Sequence, residues 1–248
     1  MDTFDQRVIE AEAAPFSGWD FAYLRDRWRE DEPPWDYRAD VLVRLPTVSR
    51  LLDMGTGGGE FLASLAPLPA YTAATENYTP NVPVARWRLG PLGVDLVTLE
   101  SDSTLPFPDQ HFDLIINRHE SYDPAEVRRI LRGGGTFLTQ QVGGDDNARL
   151  NEVLGAPLPA DRWSAADACR ELTDAGFAIV RQLEAFPETR FFDIGAVVYY
   201  LKVISWQIED FSVEGYRDAL RRLHAQMITD GGLTTRSHRF LIEARRPD

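Results

Sequence analysis

The chain has 248 residues, 44% of them apolar, and a formal net charge of −13 from 26 basic and 39 acidic side chains. That length and apolar share suit one α/β domain with insertions. The acidic excess argues against a nucleic-acid partner, whose phosphates call for a basic footprint. No stretch reaches the roughly 18 apolar residues of a membrane span; the longest such run, Ile194 to Leu201, stops at Lys202. The amino terminus is acidic and lacks the basic-then-apolar pattern of a secretory signal. Cys169 is the only cysteine, so neither a disulfide nor a cysteine-based zinc site can form within the chain. The expected setting is reducing and cytoplasmic.

Residues 1–48 hold Trp19, Trp28 and Trp35 among several other aromatic residues, and Glu32-Pro33-Pro34-Trp35 interrupts them. They predict a helical extension that packs as a lid, with Trp19 or Trp35 reaching the site. From residue 50 to 142 short apolar strands alternate with helical stretches, which implies parallel βαβ units. Helices are expected around 59–66, 80–89, 124–131 and 164–175, the last stopped by Gly176. Phe177 to Leu183 and His238 to Arg245 read as the last two strands. The roughly 54 residues between them are far more than a hairpin needs. Asp193 to Trp206 and Ser212 to Thr229 read as helices in that insertion, which spans about 187–235. Substrate specificity in such a fold resides in insertions of this kind, beside the carboxyl ends of the strands.

The most informative run is Leu51-Leu52-Asp53-Met54-Gly55-Thr56-Gly57-Gly58-Gly59-Glu60-Phe61. A buried strand ending in a glycine turn brings backbone close to a ligand, because glycine has no Cβ and tolerates positive φ. The glycines fall at 55, 57 and 59, not in the G-x-G-x-x-G spacing of dinucleotide sites, and no Gly-Lys-Ser/Thr follows as in a P-loop. Asp53 beside the turn would repel a pyrophosphate and suits a cationic ligand. Tyr71 to Glu76 then reads as a second strand ending in an acid, 23 residues after Asp53. An acid at about that spacing hydrogen-bonds ribose hydroxyls in related sheets.

The D-x-G-x-G-x-G run, from Asp53 through Gly55, Thr56 and Gly57 to Gly59, resembles motif I of the class I S-adenosylmethionine-dependent methyltransferases. Ser101 to Asn117, with its Leu105-Pro106-Phe107 and Phe112-Asp113 runs, resembles that family's stretch around its fourth strand. Ile130 to Leu138 is similar to the turn into its fifth strand, with Arg132 in place of the usual proline. The resemblance implies a Rossmann-like three-layer α/β sandwich with a seven-stranded, mostly parallel sheet and an antiparallel last strand. Residues 49–248 would form that domain, behind the 1–48 extension. It also implies that motif I approaches the amino-acid part of S-adenosylmethionine, with S-adenosylhomocysteine as product. Glu76, next to Asn77, would bind the ribose, Asp102 and Ser103 the adenine, and Asn117 and Arg118 would adjoin the methionine portion.

Methyl transfer from a sulfonium depends chiefly on alignment, and a base is needed only when the acceptor must lose a proton. His119 is the candidate base, with Glu120 to orient it or to take the proton itself. Polar Gln140, Gln141 and Asn147 after the fifth strand, together with Trp19, Arg190 and Tyr199, are candidate substrate contacts. The scattered histidines and acids give no metal-ligand spacing. The expected activity is transfer of a methyl group to an oxygen or nitrogen of a small molecule. The alternatives are an RNA-base or protein methyltransferase of the same fold, or a protein that binds the cofactor without methylating.

Overall fold

Arg50–Met54 is apolar at most positions, as befits a strand covered on both faces. In the computed structural model, which describes residues 3–16, 21–99, 104–159 and 162–248, that strand lies in a seven-stranded sheet. Two compact units divide the chain. One comprises 1–33, 143–162 and 185–238; the other comprises 34–142, 163–184 and 239–248. The amino-terminal 48 residues are thus shared between them.

In the first unit, α1 (Thr3–Ala13), α6 (Arg149–Leu154), α8 (Ile194–Val203) and α9 (Arg217–Asp230) surround a core with Phe4, Leu150, Tyr199 and Leu220. Three short antiparallel strands, β1 (Trp28–Glu30), β8 (Glu188–Phe191) and β9 (Leu233–Arg236), form a separate sheet in the order β1-β8-β9. The insertion was expected to be helical; it carries two strands besides its helices. Glu188-Thr189-Arg190-Phe191 alternates exposed and buried positions, the period-2 signature of a half-covered strand. The Asp193 carboxylate accepts from the Ala196 N–H at the start of α8 and pairs with both Arg7 and Arg27. Lys202 Nζ donates to the carbonyls of Ala11, Glu12 and Ala14, which satisfies orphan acceptors at the end of α1.

The second unit holds α2 (Tyr37–Leu42), β2 (Arg50–Met54), α3 (Glu60–Ser64), β3 (Tyr71–Glu76), α4 (Val82–Leu89), β4 (Asp95–Thr98), β5 (Phe112–Arg118), α5 (Pro124–Ile130), β6 (Leu131–Val142), α7 (Ala165–Asp174), β7 (Ala178–Ala185) and β10 (Arg239–Arg245). The sheet order is β4-β3-β2-β5-β6-β10-β7. Strands β2 to β6 run parallel, and β10 lies antiparallel to β6, as expected for the last strand. Alternation divides the core. Leu52, Met54, Ile115 and Phe137 pack with Val127 and Leu172, while Leu51, Leu114, Ile116 and Leu138 pack with Leu62, Ala85 and Leu89. The strand order reverses direction on either side of β2, so its carboxyl end is the switch point where open parallel sheets bind ligands. Among the described residues, no helix is long and apolar enough to cross a membrane.

Candidate active site

Asp53 and Glu76 end neighbouring strands, with Asp53 paired in register to Ala74 two residues before Glu76. Both carboxylates are buried, 4% and 3% exposed, although two like charges at such depth oppose each other. Burial raises the Asp53 pKa to about 7; Thr56 and the Arg118 guanidinium favour its ionised form, and Glu76 disfavours it. Among the described residues, Arg118 is the cation that offsets the Asp53 charge. Glu76 Oε1 accepts from the Tyr78 N–H at 2.7 Å.

The turn between β2 and α3 is held from β3. Gly55 N–H donates to Thr75 Oγ1 and Thr56 N–H to the Thr75 carbonyl. Gly55, Gly57 and Gly59 all have positive φ. A Cβ on Gly55 would overlap the Glu120 side chain, and one on Gly59 would overlap Leu89, whereas Gly57 faces open space within 4 Å. Glycine at 55 and 59 therefore serves close packing, and at 57 it borders open space. Thr75 was not distinguished by sequence, where it reads only as a strand residue.

The β5 terminus lies beside β2, with Asn117 opposite Met54. Asn117 is fully buried: its Oδ1 accepts from Thr139 Oγ1 and from Gln141 Nε2, while its Nδ2 has no partner among the described residues. Gln141 Nε2 also reaches Thr139 Oγ1 and the Glu120 carbonyl, so its amide braces the loop after β5 instead of facing a substrate. Arg118 lies over the Phe61 ring, 4.6 Å from its centroid. Asn77 Nδ2 donates to Glu120 Oε1 at 3.2 Å, which sets Glu120 against the glycine turn.

His119 has a φ of 63°, unusual for a residue with a Cβ. Its N–H donates to the Gln140 carbonyl, and its Nε2 lies 3.2 Å from Gln140 Nε2. Desolvation by the surrounding protein, with help from the charges of Arg239 and Arg118, lowers its pKa and favours the neutral imidazole, although the residue keeps an exposed surface. The indole of Trp35 donates to Gln140 Oε1 at 2.8 Å, so Trp35 does reach this group. Tyr37 was read only as one of the aromatic residues of the extension. Its buried hydroxyl accepts from the Asn117 N–H and lies 3.0 and 3.1 Å from the carbonyls of Asn117 and Leu138. Tyr37→Phe should cost about 1–3 kcal/mol by orphaning that amide. An unchanged urea-unfolding midpoint would contradict this role.

Other expected residues sit in the first unit or outside the described residues. Trp19, Asp102 and Ser103 lie outside them. Asn147 is buried, and its Nδ2 donates to Tyr200 and Asp146. The Tyr199 hydroxyl donates to the Pro15 carbonyl from within the core. Arg190 donates to the Asp230 and Gly231 carbonyls at the end of α9, and not to Asp193 or Glu188. These three side chains are committed to local structure.

Residues 52–139, from the buried strand through the glycine turn to the start of β6, match a family model described as a methyltransferase domain. Over those residues the chain is similar to methyltransferase domains. No curated protein sequence matches it. Its fold is similar to that of a protein of Bacillus halodurans C-125 assigned as a methyltransferase, with 17% identity and a TM-score of 0.59, covering 84% of this chain and 100% of that one. A protein of unknown function from Deinococcus radiodurans R1 has 15% identity and a TM-score of 0.63, covering 99% and 100%. A geranyl diphosphate methyltransferase solved with GPP and sinefungin has 18% identity and a TM-score of 0.52, covering 84% and 76%. The methyltransferase-domain match over residues 52–139 implies a cofactor of the S-adenosylmethionine type. The two buried acids, Asp53 and Glu76, and the open space beside Gly57 fit such a group.

Proposed function

We propose that this protein transfers a methyl group from S-adenosylmethionine to an oxygen or nitrogen atom of a small molecule in the cytoplasm. The observation that carries this reading is the pair of buried acids, Asp53 and Glu76, at the tips of adjacent strands beside the open face of Gly57. Asp53 would answer the positive end of the cofactor, Glu76 and Asn77 its ribose, and the backbone of residues 55–59 its amino-acid part. Asp102 and Ser103 keep the adenine role that the family resemblance gives them. When bound, the cofactor supplies a methyl group activated by a positive sulfur. The protein's own contribution is to hold the acceptor in line with that group and to exclude water. Glu120, set against the glycine turn, serves the cofactor side of the pocket. The net charge of −13 supports a small acceptor over RNA.

Calorimetric titration with S-adenosylmethionine and S-adenosylhomocysteine should each give saturable one-site binding. Failure of both to bind would overturn the reading. Incubation with methyl-labelled cofactor and cell extract should then carry label into the low-mass fraction. Label in RNA or protein instead would overturn the small-molecule acceptor.

A further inference from the structure

Three side chains in the second unit form a hydrogen-bonded chain: Trp35 to Gln140 at 2.8 Å, and Gln140 to His119 at 3.2 Å. An indole N–H can only donate, so the amide oxygen of Gln140 must face Trp35 and its NH2 must face His119. Turning the amide over would set donor against donor at the indole. An NH2 group in turn requires a lone pair on the nitrogen it meets, which is Nε2 of His119. We propose that Trp35 and Gln140 hold His119 with its ring proton on Nδ1 and its Nε2 lone pair occupied, so that His119 donates a hydrogen bond to the methyl acceptor instead of taking a proton from it.

The surroundings agree with this arrangement. His119 Nδ1 has no hydrogen-bond partner among the described residues, and the residue keeps solvent contact, so that N–H is available. The backbone bond from His119 N–H to the Gln140 carbonyl and the left-handed φ fix the ring's origin. The charged groups acting on the ring are Arg118 at the end of its own strand and Arg239 on β10, and both oppose an imidazolium. A base at this place would have to exchange its Gln140 bond for a proton beside two cations. The acceptor that fits is one whose reacting atom carries no proton to remove, such as a carboxylate oxygen. That substrate class rests on the methyl-transfer reading; the tautomer does not.

The test is long-range nitrogen–proton spectroscopy of the full chain labelled with 15N-histidine, from pH 5.5 to 8.5, with His119 assigned from the spectrum of H119Q. One tautomer, protonated at Nδ1 and constant over the range, is expected. Gln140→Glu places a carboxylate that accepts from both neighbours, so the ring proton should move to Nε2 and the titration midpoint should rise by at least one pH unit. Trp35→Phe removes the constraint on the amide and should give a mixture of tautomers. A wild-type spectrum protonated at Nε2, an imidazolium that persists above pH 6, or a pattern unchanged by both substitutions overturns the proposal. Loss of cofactor binding in calorimetry would sink the methyl-transfer reading while leaving this spectrum as described, so the two failures are distinguishable.

Discussion

Asp53→Asn should stabilise the ligand-free protein at pH 8 while abolishing its affinity for S-adenosylmethionine. The carboxyl group has an ordinary value of 3.8 and is raised to about 7 in the folded chain, burial being the main cause. Between those limits the folded protein retains a proton that the unfolded chain has released. Its contribution to stability is therefore complete below pH 4, declines as pH rises, and is lost once pH passes 7. Each pH unit of separation corresponds to about 1.4 kcal/mol, so the shift from 3.8 to about 7 puts the cost of the buried charge on the order of 4 kcal/mol in the ligand-free state at pH 8. Asparagine removes that penalty, and urea unfolding of the variant should lose its slope between pH 4 and 7. The same charge is what a cationic ligand needs. Binding of such a ligand should return Asp53 to its ionised form and release a proton near pH 7. Calorimetry in buffers of different ionisation enthalpy reads this release directly. A wild-type binding enthalpy independent of buffer, together with unchanged stability in the variant, would show that Asp53 is not the charged partner.

Gly59→Ala and Gly57→Ala should separate folding from binding within one turn. Both residues are in the left-handed region, with φ of 81° and 62°, where an added Cβ costs roughly 1–2 kcal/mol. At Gly59 the new methyl would also stand 2.7 Å from Cγ of Leu89, which is fully buried and has nowhere to go. Overpacking adds about 1–3 kcal/mol, for a total of about 2–5 kcal/mol in urea unfolding. At Gly57 no atom lies within 4 Å of the added methyl, so only the backbone cost remains. That methyl enters the space assigned to the cofactor and should weaken binding at least tenfold, which is about 1.4 kcal/mol. Gly57→Ala with native cofactor affinity would remove the ligand from this turn.

The glycine turn and the two acids could be read from sequence because their chemistry is local. Asp53 and the glycines that follow are consecutive, and Glu76 lies one βαβ step away at a spacing set by strand and helix lengths. The seven-stranded, mostly parallel sheet and its antiparallel last strand followed from the resemblance and from alternating apolar segments, whereas the order of the strands came from the structure. The insertion was harder. Glu188–Phe191 is only four residues long and pairs with Trp28–Glu30, 160 residues away in sequence, so its partner left no local trace. Arg190 stood as a candidate substrate contact, yet its guanidinium donates to the carbonyls at the end of α9.

The sequence alone determined that a glycine turn flanked by two acids would stand at the tip of a parallel sheet, because strand period and glycine spacing are properties of short segments. Tertiary structure decided how the polar side chains around that pocket are employed. Gln141 braces Asn117, Tyr37 seals a gap between β5 and β6, and Trp35 reaches across 105 residues of sequence to set the Gln140 amide and, through it, the proton on His119. A side chain's role as donor or acceptor is settled by the atoms it meets, and those meetings exist only once the chain has folded.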